Sequence, residues 1–271
     1  MRVGTSGWQY RGWRGDFYPR GLAQGAELEY LAARLPTVEV NGTFYSLTRP
    51  TACDRWRRQA PADFVFAIKG SRYITHLLKL QRFEHALANF FSSGILRLGR
   101  TLGPILWQLP PQLPFHASRA RRFFAALPRD LSEAERWARR HDARTTGRAA
   151  LTAGDGRDGA RRHALEIRHP SWLSEEALAL LRAFDIALVA AETAGRHPSS
   201  RERTASFAYV RLHGSTQLYT SRYTDEELAA WARRLRDWAF DADVFVYFDN
   251  DAQGHAPHDA VRLGAMLSPP P

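Results

Sequence analysis

The sequence predicts an α/β protein built as one (β/α)8 TIM barrel across residues 1–271, and three observations predict it. Eight short apolar, β-branched or aromatic runs recur along the chain, most of them separated by stretches of helical periodicity, which is the pattern of parallel βα units. The length of 271 residues suits such a barrel, which commonly uses about 250 residues as a single unit. An open dinucleotide-binding sheet would place G-x-G-x-x-G after its first strand. Here Gly4-Thr5-Ser6-Gly7-Trp8-Gln9-Tyr10 lacks that spacing and leads into an aromatic loop.

The predicted strands are Arg2–Thr5, Thr37–Asn41, Phe64–Lys69, Ile105–Gln108, Ala164–Arg168, Ala187–Ala190, Phe207–Leu212 and Val244–Phe248. Two helix starts are marked by capping-box spacing, Ser132 with Glu135 and Thr224 with Glu227, in which a hydroxyl and a carboxylate satisfy free amides of the first turn. After Thr224, the residues Leu228, Trp231, Leu235 and Trp238 fall on one stripe that can lie against a sheet. Between Ala190 and Phe207 the chain is polar, with Gly195, Pro198 and Ser199-Ser200, so the sixth βα unit is expected to be irregular. The extended Arg-rich segment 117–162, between strands four and five, is longer than one crossover requires. It is expected to hold helices near Ser118–Leu127 and Glu133–Arg148, then a loop through Gly154-Asp155-Gly156, mostly facing the bottom of the barrel.

Composition excludes several classes. One cysteine, 44% apolar and 24% charged residues fit neither a disulfide scaffold nor a disordered chain. There is no 18-residue apolar run, and a strand starting at Arg2 leaves no room for a signal peptide, so a cytoplasmic protein with no membrane partner is expected. The net charge of +10 and pI near 10.3 suggest nucleic acid, yet 36 of the 38 basic residues are Arg, a skew that coding bias can produce. Segment 117–162 holds 12 Arg against six acidic residues, a net +6 of the total. Cys53 reads as an inert, partly buried thiol. No H-E-x-x-H, paired C-x-x-C or EF-hand loop occurs. The cofactor is therefore unknown and no metal ligand is assigned, although a divalent metal held by carboxylates and histidine from several strands stays open.

Chemistry in a barrel gathers where strands end. Period-two alternation puts Glu39 and Asn41 on one side of the second strand, Glu166 and Arg168 on one side of the fifth, and Arg211 and His213 on one side of the seventh. The third ends in Lys69, the fourth in Gln108 and the eighth in Asp249, Asn250 and Asp251. Glu39 and Glu166 read either as general acid and base or as ion-pair partners of Arg168, Arg211 or Lys69. Lys69 stands out in a chain that uses Arg almost everywhere. It reads as an acid, a base, an imine former or a phosphate contact, against a plain salt bridge. His213 reads as a proton carrier or as an ordinary hydrogen-bonded histidine, and His76 as a weaker candidate of the same kind. Trp8, Tyr10, Phe44, Tyr45, Trp172, Tyr219 and Tyr223 crowd the same end. Flat rings beside mixed charges suit a sugar ring or a nucleobase, while at least half of them are expected to pack loops.

Several ordered motifs match one family. Gly4-Thr5-Ser6-Gly7-Trp8 with Phe17-Tyr18-Pro19, Val38-Glu39-Val40-Asn41-Gly42-Thr43-Phe44-Tyr45, Phe64-Val65-Phe66-Ala67-Ile68-Lys69 and Ile74-Thr75-His76 resemble the YecE-like family of domain of unknown function 72. So do Trp107-Gln108-Leu109-Pro110-Pro111, Glu166-Ile167-Arg168-His169-Pro170-Ser171-Trp172, Tyr209-Val210-Arg211-Leu212-His213-Gly214, and Tyr219 with Arg222-Tyr223. The resemblance covers nearly the whole chain and implies a TIM barrel and a set of suspect positions, without a reaction. Where the family pattern resembles F-N-N-D, this chain reads Phe248-Asp249-Asn250-Asp251.

The resulting expectation is a small-molecule enzyme of hydrolase, lyase or isomerase type, acting at the mouth on an anionic sugar-like or nucleoside-like compound. Glu39, Glu166, Lys69 and His213 carry the chemistry in this reading, Arg168 and Arg211 hold negative charge, and Asn41, Gln108 and Asn250 orient the ligand. The alternatives are a nucleic-acid-binding or nuclease-like barrel and a non-catalytic barrel that binds a ligand or partner.

Overall fold

The computed structural model describes residues 1–153 and 161–268, and its strands form one parallel sheet. They are β1 (Arg2–Ser6), β2 (Thr37–Val40), β3 (Val65–Lys69), β4 (Leu102–Gln108), β5 (His163–Glu166), β6 (Ile186–Leu188), β7 (Ala190–Glu192), β8 (Phe207–Leu212) and β9 (Asp243–Phe248). The order β6-β5-β4-β3-β2-β1-β9-β8-β7 wraps around so that its two ends are consecutive pieces of chain. The sixth predicted strand is thus split in two. Leu188 pairs along β5, Val189 still donates its amide to Leu165, and from Ala190 the chain pairs with β8. One interrupted strand therefore closes an eightfold barrel, and no helix follows it before β8.

The helices are α1 (Glu27–Ala32), α2 (Gly42–Tyr45), α3 (Pro50–Gln59), α4 (Glu84–Ser92), α5 (Ala117–Ala126), α6 (Leu131–Ala138), α7 (Glu175–Ala183), α8 (Asp225–Ala239) and α9 (His255–Leu267). Helix α8 starts at the predicted capping box, with Thr224 and Glu227 exchanging backbone-to-side-chain hydrogen bonds of 2.8 and 3.2 Å. Leu228, Trp231 and Leu235 of its stripe are buried, with Trp238 packed against the same core.

Three expectations for the Arg-rich segment need correction. Helix α6 is capped by Asp130, whose carboxylate accepts from the Glu133 amide while Glu133 accepts from the Arg129 amide, so the box lies two residues before Ser132 and Glu135. The helix also stops at Ala138 rather than running to Arg148. Asp142 turns the chain by accepting from the Arg144 amide and donates its own amide to Asn89, and Thr145-Thr146-Gly147 then favours turns. Arg162 does sit at the strand-start end, paired with Asp243 at 2.7 Å. Arg144, in contrast, lies 5.8 Å from the Tyr73 ring beside the loop after β3, so the segment is not confined to the bottom. The predicted Gly154-Asp155-Gly156 loop lies outside the described residues.

Two apolar layers hold the barrel. The outer one joins sheet to helices and includes the fully buried Trp107, Phe90 and Phe123. The inner one is lopsided. Phe207, Tyr209, Phe245 and Tyr247 of β8 and β9 fill the lumen against the small Ala67, Ala164, Ala187 and Ala191 on the opposite strands. This filling makes the lower lumen a packed core and lifts the polar groups to the strand ends. Thr37 and Tyr247 share a hydrogen bond of 2.8 Å at the boundary.

Candidate functional site

Arg211 is the centre of the polar layer. Alternation along β8 turns Tyr209, Arg211 and His213 inward, and the Arg211 side chain is sealed from solvent. Its Nε and Nη2 form a fork with Glu39 at 3.1 and 2.8 Å, its Nη1 donates to Glu166 at 2.6 Å, and its Nη2 also reaches Ser6 Oγ at 2.9 Å and Asp249 at 3.1 Å. Three carboxylates from β2, β5 and the end of β9 thus converge on one guanidinium, which burial alone would discharge. Their charges outweigh the desolvation and hold its pKa well above the usual arginine value. Glu39 is completed by Ser6 at 2.5 Å and Tyr209 at 2.6 Å.

His213 lies above this fork. Its Nδ1 is 2.8 Å from Asp249, and its Nε2 is 3.2 Å from Glu166 and 3.3 Å from Arg211 Nη1. Nε2 can accept from Arg211 Nη1, whereas Nδ1 and Glu166 Oε1 are sealed without an aligned hydrogen-bond partner among the described residues, so the approaches to Asp249 and Glu166 are close contacts only. Burial raises the Glu166 carboxyl, but Arg168, Arg211 and His213 overcome it and hold its pKa well below the usual range. Burial raises Asp249 too, and Arg211 and His213 bring it down to about 2. Asp251 goes the other way. Burial and the neighbouring Asp249 charge push its pKa well above that of an ordinary aspartate, and its Oδ1 is sealed with no partner among the described residues.

That contrast gives a signed prediction. A carboxyl that keeps its proton in the folded state while the unfolded chain releases it near pH 4 subtracts stability as pH rises from about 4 toward the folded value. Asp251→Asn removes the loss. It is expected to raise the melting temperature at pH 7 and leave it unchanged near pH 3, and an equal effect at both values would contradict the assignment.

Two cations at the mouth keep donors that are not hydrogen-bonded among the described residues. Arg168, 5% exposed, touches Glu166 through Nη2 as an ion contact without hydrogen-bond alignment, and its Nε and Nη1 have no partner among the described residues. Lys69, 8% exposed, holds Nζ 4.5 Å over the Phe44 ring and makes no hydrogen bond or ion pair among the described residues. Burial and the Arg211 charge lower its pKa against the pull of Glu39, Asp249 and Glu166. His76 sits on a wide turn (Tyr73–Leu77), 5.1 Å from Phe44, with Nδ1 2.9 Å from Thr75 Oγ1. Burial, Lys69, Arg72 and Arg168 lower its pKa to about 4.

The other suspect residues divide. Tyr219, held at φ 62, lays its ring 5.5 Å from His213 and is 41% exposed. Tyr10 donates to the Ser6 carbonyl at 2.5 Å, and Trp8, Tyr10 and Asn41 line a side cleft of about 300 Å³ with Trp56 and Arg55. The Asn41 Oδ1 is sealed and without a partner among the described residues. Gln108 ends β4 in register with Glu166.

Asn250, Trp172 and Tyr223 are engaged elsewhere. Asn250 donates to the Ser221 carbonyl and to Asp259 of α9, both at 2.9 Å. Trp172 donates to the Leu113 carbonyl at 2.9 Å, and the Tyr223 hydroxyl accepts from the Gly214 amide at 3.1 Å. Gly214 itself has φ 111, and a Cβ there would lie 2.3 Å from the Gln217 carbonyl oxygen, so a glycine is required for this turn. Tyr45 is 69% exposed and faces a separate groove with Tyr73 and Arg144. Cys53 is buried, with burial pushing its thiol up to about 12, as expected of an inert group.

Sequence reasoning missed Ser6 and Tyr209 as members of the cluster, and placed Asp249 at the mouth without giving it a role. Counting Asp249 also cancels the small positive excess that Lys69, Arg168 and Arg211 have over Glu39 and Glu166. Among the described residues, no group of three or more His, Cys, Asp or Glu side chains has the geometry to hold a metal ion. The space between the carboxylates is taken by the guanidinium.

The geometry defines an α/β barrel of the TIM type with a charged cluster at the carboxyl ends of its strands. The chain belongs to the family of proteins of unknown function DUF72, whose model matches residues 2–270. It is 23% identical over 301 residues to the UPF0759 protein YunF of Bacillus subtilis (strain 168), covering 98% of this chain and 94% of that one. Among solved structures it resembles a DUF72 family protein from Thermotoga maritima MSB8, with TM-score 0.77, 24% identity and 98% of each chain covered. A DUF72 family protein from Enterococcus faecalis V583 gives TM-score 0.73 at 17% identity, over 98% of this chain and 94% of that one. No helix among the described residues is long and apolar enough to cross a membrane.

Proposed function

We propose that the barrel mouth binds and transforms a small anionic compound, sugar-like or nucleoside-like, by hydrolase, lyase or isomerase chemistry. The observation that carries this reading is Arg168. A nearly buried guanidinium with unsatisfied donors costs several kcal/mol unless something accepts from it, and a phosphate or carboxylate from the ligand meets that need. Lys69, which makes no hydrogen bond or ion pair among the described residues, is the second cation of the same layer with donors to offer. The net charge of the cluster favours neither sign, so the anion is selected locally, by these two groups.

The roles shift accordingly. Glu39 and Arg211 are sealed and mutually satisfied, so they form the strut beneath the ligand. His213 lies 2.8 Å from Asp249 and 3.2 Å from Glu166 as a candidate acid–base group, and burial with the Asp249 charge biases the Asp251 carboxyl beside them toward its protonated form. Tyr10, Tyr219 and Phe44 offer ring faces at the edge. In the Arg-rich segment, Arg122, Arg136, Arg139 and Arg144 are each paired with a carboxylate, which reduces their value as a nucleic-acid surface.

The test is a thermal shift with inorganic phosphate, phosphosugars and nucleotides on wild type and Arg168→Met. A ligand at 100 times its Kd stabilises the wild type by about 2.7 kcal/mol. That gain is expected to disappear in Arg168→Met, and identical profiles for the two proteins would contradict the reading.

A further inference from the structure

We propose that Lys69 is an imine-forming nucleophile, and that the substrate of this site is an aldehyde or ketone whose anionic group is held by Arg168. This rests on the anion-binding reading of the mouth and adds the reacting group to it. The argument begins with placement. Lys69 closes β3 at the carboxyl end of the barrel, and its backbone is pinned by Thr43 Oγ1, which donates to its carbonyl at 2.7 Å. The side chain is nearly buried, yet Nζ has no carboxylate within 4.0 Å and no hydrogen-bond acceptor among the described residues, and it is not among the sealed polar atoms. It therefore keeps an open edge toward the mouth.

A lysine built to hold a salt bridge would be expected to reach one of the carboxylates around Arg211. Instead the neighbouring arginine has taken Glu39, Glu166 and Asp249, and Nζ rests on the apolar face of Phe44. Burial and the Arg211 charge favour the free amine, against the pull of the nearby carboxylates and of the Phe44 ring face on the ammonium. An ordinary lysine, with pKa near 10.4, is only about 0.1% free amine at pH 7.4, and each unit of lowering multiplies that fraction roughly tenfold.

The step balances without a cofactor. The Nζ lone pair attacks the carbonyl carbon, a C–N bond forms, and the π pair moves to oxygen, which takes a proton to give a carbinolamine. Loss of the hydroxyl with a second proton then breaks the C–O bond. The two amine hydrogens leave as water, and the imine nitrogen is ready to be protonated and to draw electrons from the adjacent carbon. Glu166, His213 and Asp249 lie in the same layer as candidate acid–base groups for the steps that follow.

The chain offers an internal control, because it contains only Lys69 and the exposed Lys79 beside the N-terminal amine. The full-length protein is incubated with dihydroxyacetone phosphate or with dihydroxyacetone, reduced with sodium cyanoborohydride, and mapped by peptide mass. Trapping at Lys69 adds the mass of the probe less one oxygen. The expected result is labelling of Lys69 by the phosphorylated probe more than about tenfold above Lys79, suppressed by inorganic phosphate and lost in Lys69→Met. If that variant does not fold, Lys79→Arg leaves Lys69 the only lysine and gives the same assignment. Labelling of Lys79 or the N-terminus alone, or of both lysines equally, overturns the proposal. Arg168-dependent phosphate binding without a label at Lys69 also overturns it while leaving the anion site standing. Labelling of Lys69 by both probes alike, untouched by phosphate, supports the nucleophile and removes the anion site.

Discussion

Arg211→Met is expected to destabilise the protein by roughly 3–5 kcal/mol, the usual cost of removing one partner from a buried ion cluster. The loss follows from what remains. Glu39 and Glu166 are sealed, and without the guanidinium their charges face each other and Asp249 across a layer floored by Phe207, Phe245 and Tyr247. At about 2–4 °C per kcal/mol for chains approaching this size, the melting temperature should fall by on the order of 10 °C. The penalty should shrink as pH falls and the stranded carboxylates take up protons. Adding Glu39→Gln should recover part of it, since one uncompensated charge is then gone. Chemical and thermal denaturation at two pH values check this, and a loss below about 1 kcal/mol at pH 7 would show that the cluster does not brace the barrel.

The second large effect concerns His163, far from the mouth. It is fully buried at the start of β5, with Nδ1 accepting from Trp107 Nε1 at 3.2 Å and Nε2 2.9 Å from the Pro128 carbonyl. Both ring nitrogens are used by the neutral ring, and protonation would put a hydrogen between Nδ1 and the indole donor. Burial lowers its pKa to about 4, against the pull of the Pro128 carbonyl and helped by Arg129 and Arg161. A histidine whose folded value lies below its unfolded value of about 6.5 gives stability that is fully present above pH 6.5 and is lost as pH falls toward 4. The difference corresponds to roughly 3 kcal/mol. His163→Gln can still accept from Trp107 and donate to Pro128 but does not titrate. Its stability should therefore change much less between pH 7 and pH 4.5 in urea titrations, with a remainder from His76. Equal slopes for variant and wild type would contradict the assignment.

Most of the barrel was legible because strand and helix periods repeat with little interference. The runs at β1, β8 and β9 are set by β-branched and aromatic residues, and Thr224 with Glu227 marks α8 by local chemistry alone. The break at Val189 was not legible, because Ala187–Ala190 is apolar throughout and carries no Gly, Pro or polar residue to mark an interruption. Only closure of the sheet makes one strand serve both β5 and β8. The capping register of α6 failed for a simpler reason. Ser132 and Asp130 both precede a glutamate by three residues, and the stronger acceptor at Asp130 won.

At the mouth, alternation picked out Glu39, Glu166, Arg168, Arg211 and His213, and position at a strand end picked out Lys69. The same rule applied to β9 would have chosen Asp249, two residues beyond the inward Tyr247, in place of Asn250. What the pattern could not supply is the pairing. Which of two inward arginines is hydrogen-bonded by three carboxylates and which touches one and keeps donors to spare depends on strands far apart in sequence, here β2, β5, β8 and β9. The separation of Arg211 as strut from Arg168 with its unbonded Nε and Nη1 is therefore a product of the assembled barrel.

The most direct measurement is a crystal structure of the protein grown or soaked in inorganic phosphate. The expected result is a phosphate whose oxygens lie within hydrogen-bond distance of Arg168 Nε and Nη1 and near Lys69 Nζ, above an unchanged Arg211 fork. A mouth that stays empty under those conditions, with Arg168 turned into an aligned pair with Glu166, would contradict an anion-binding site at the end of the barrel.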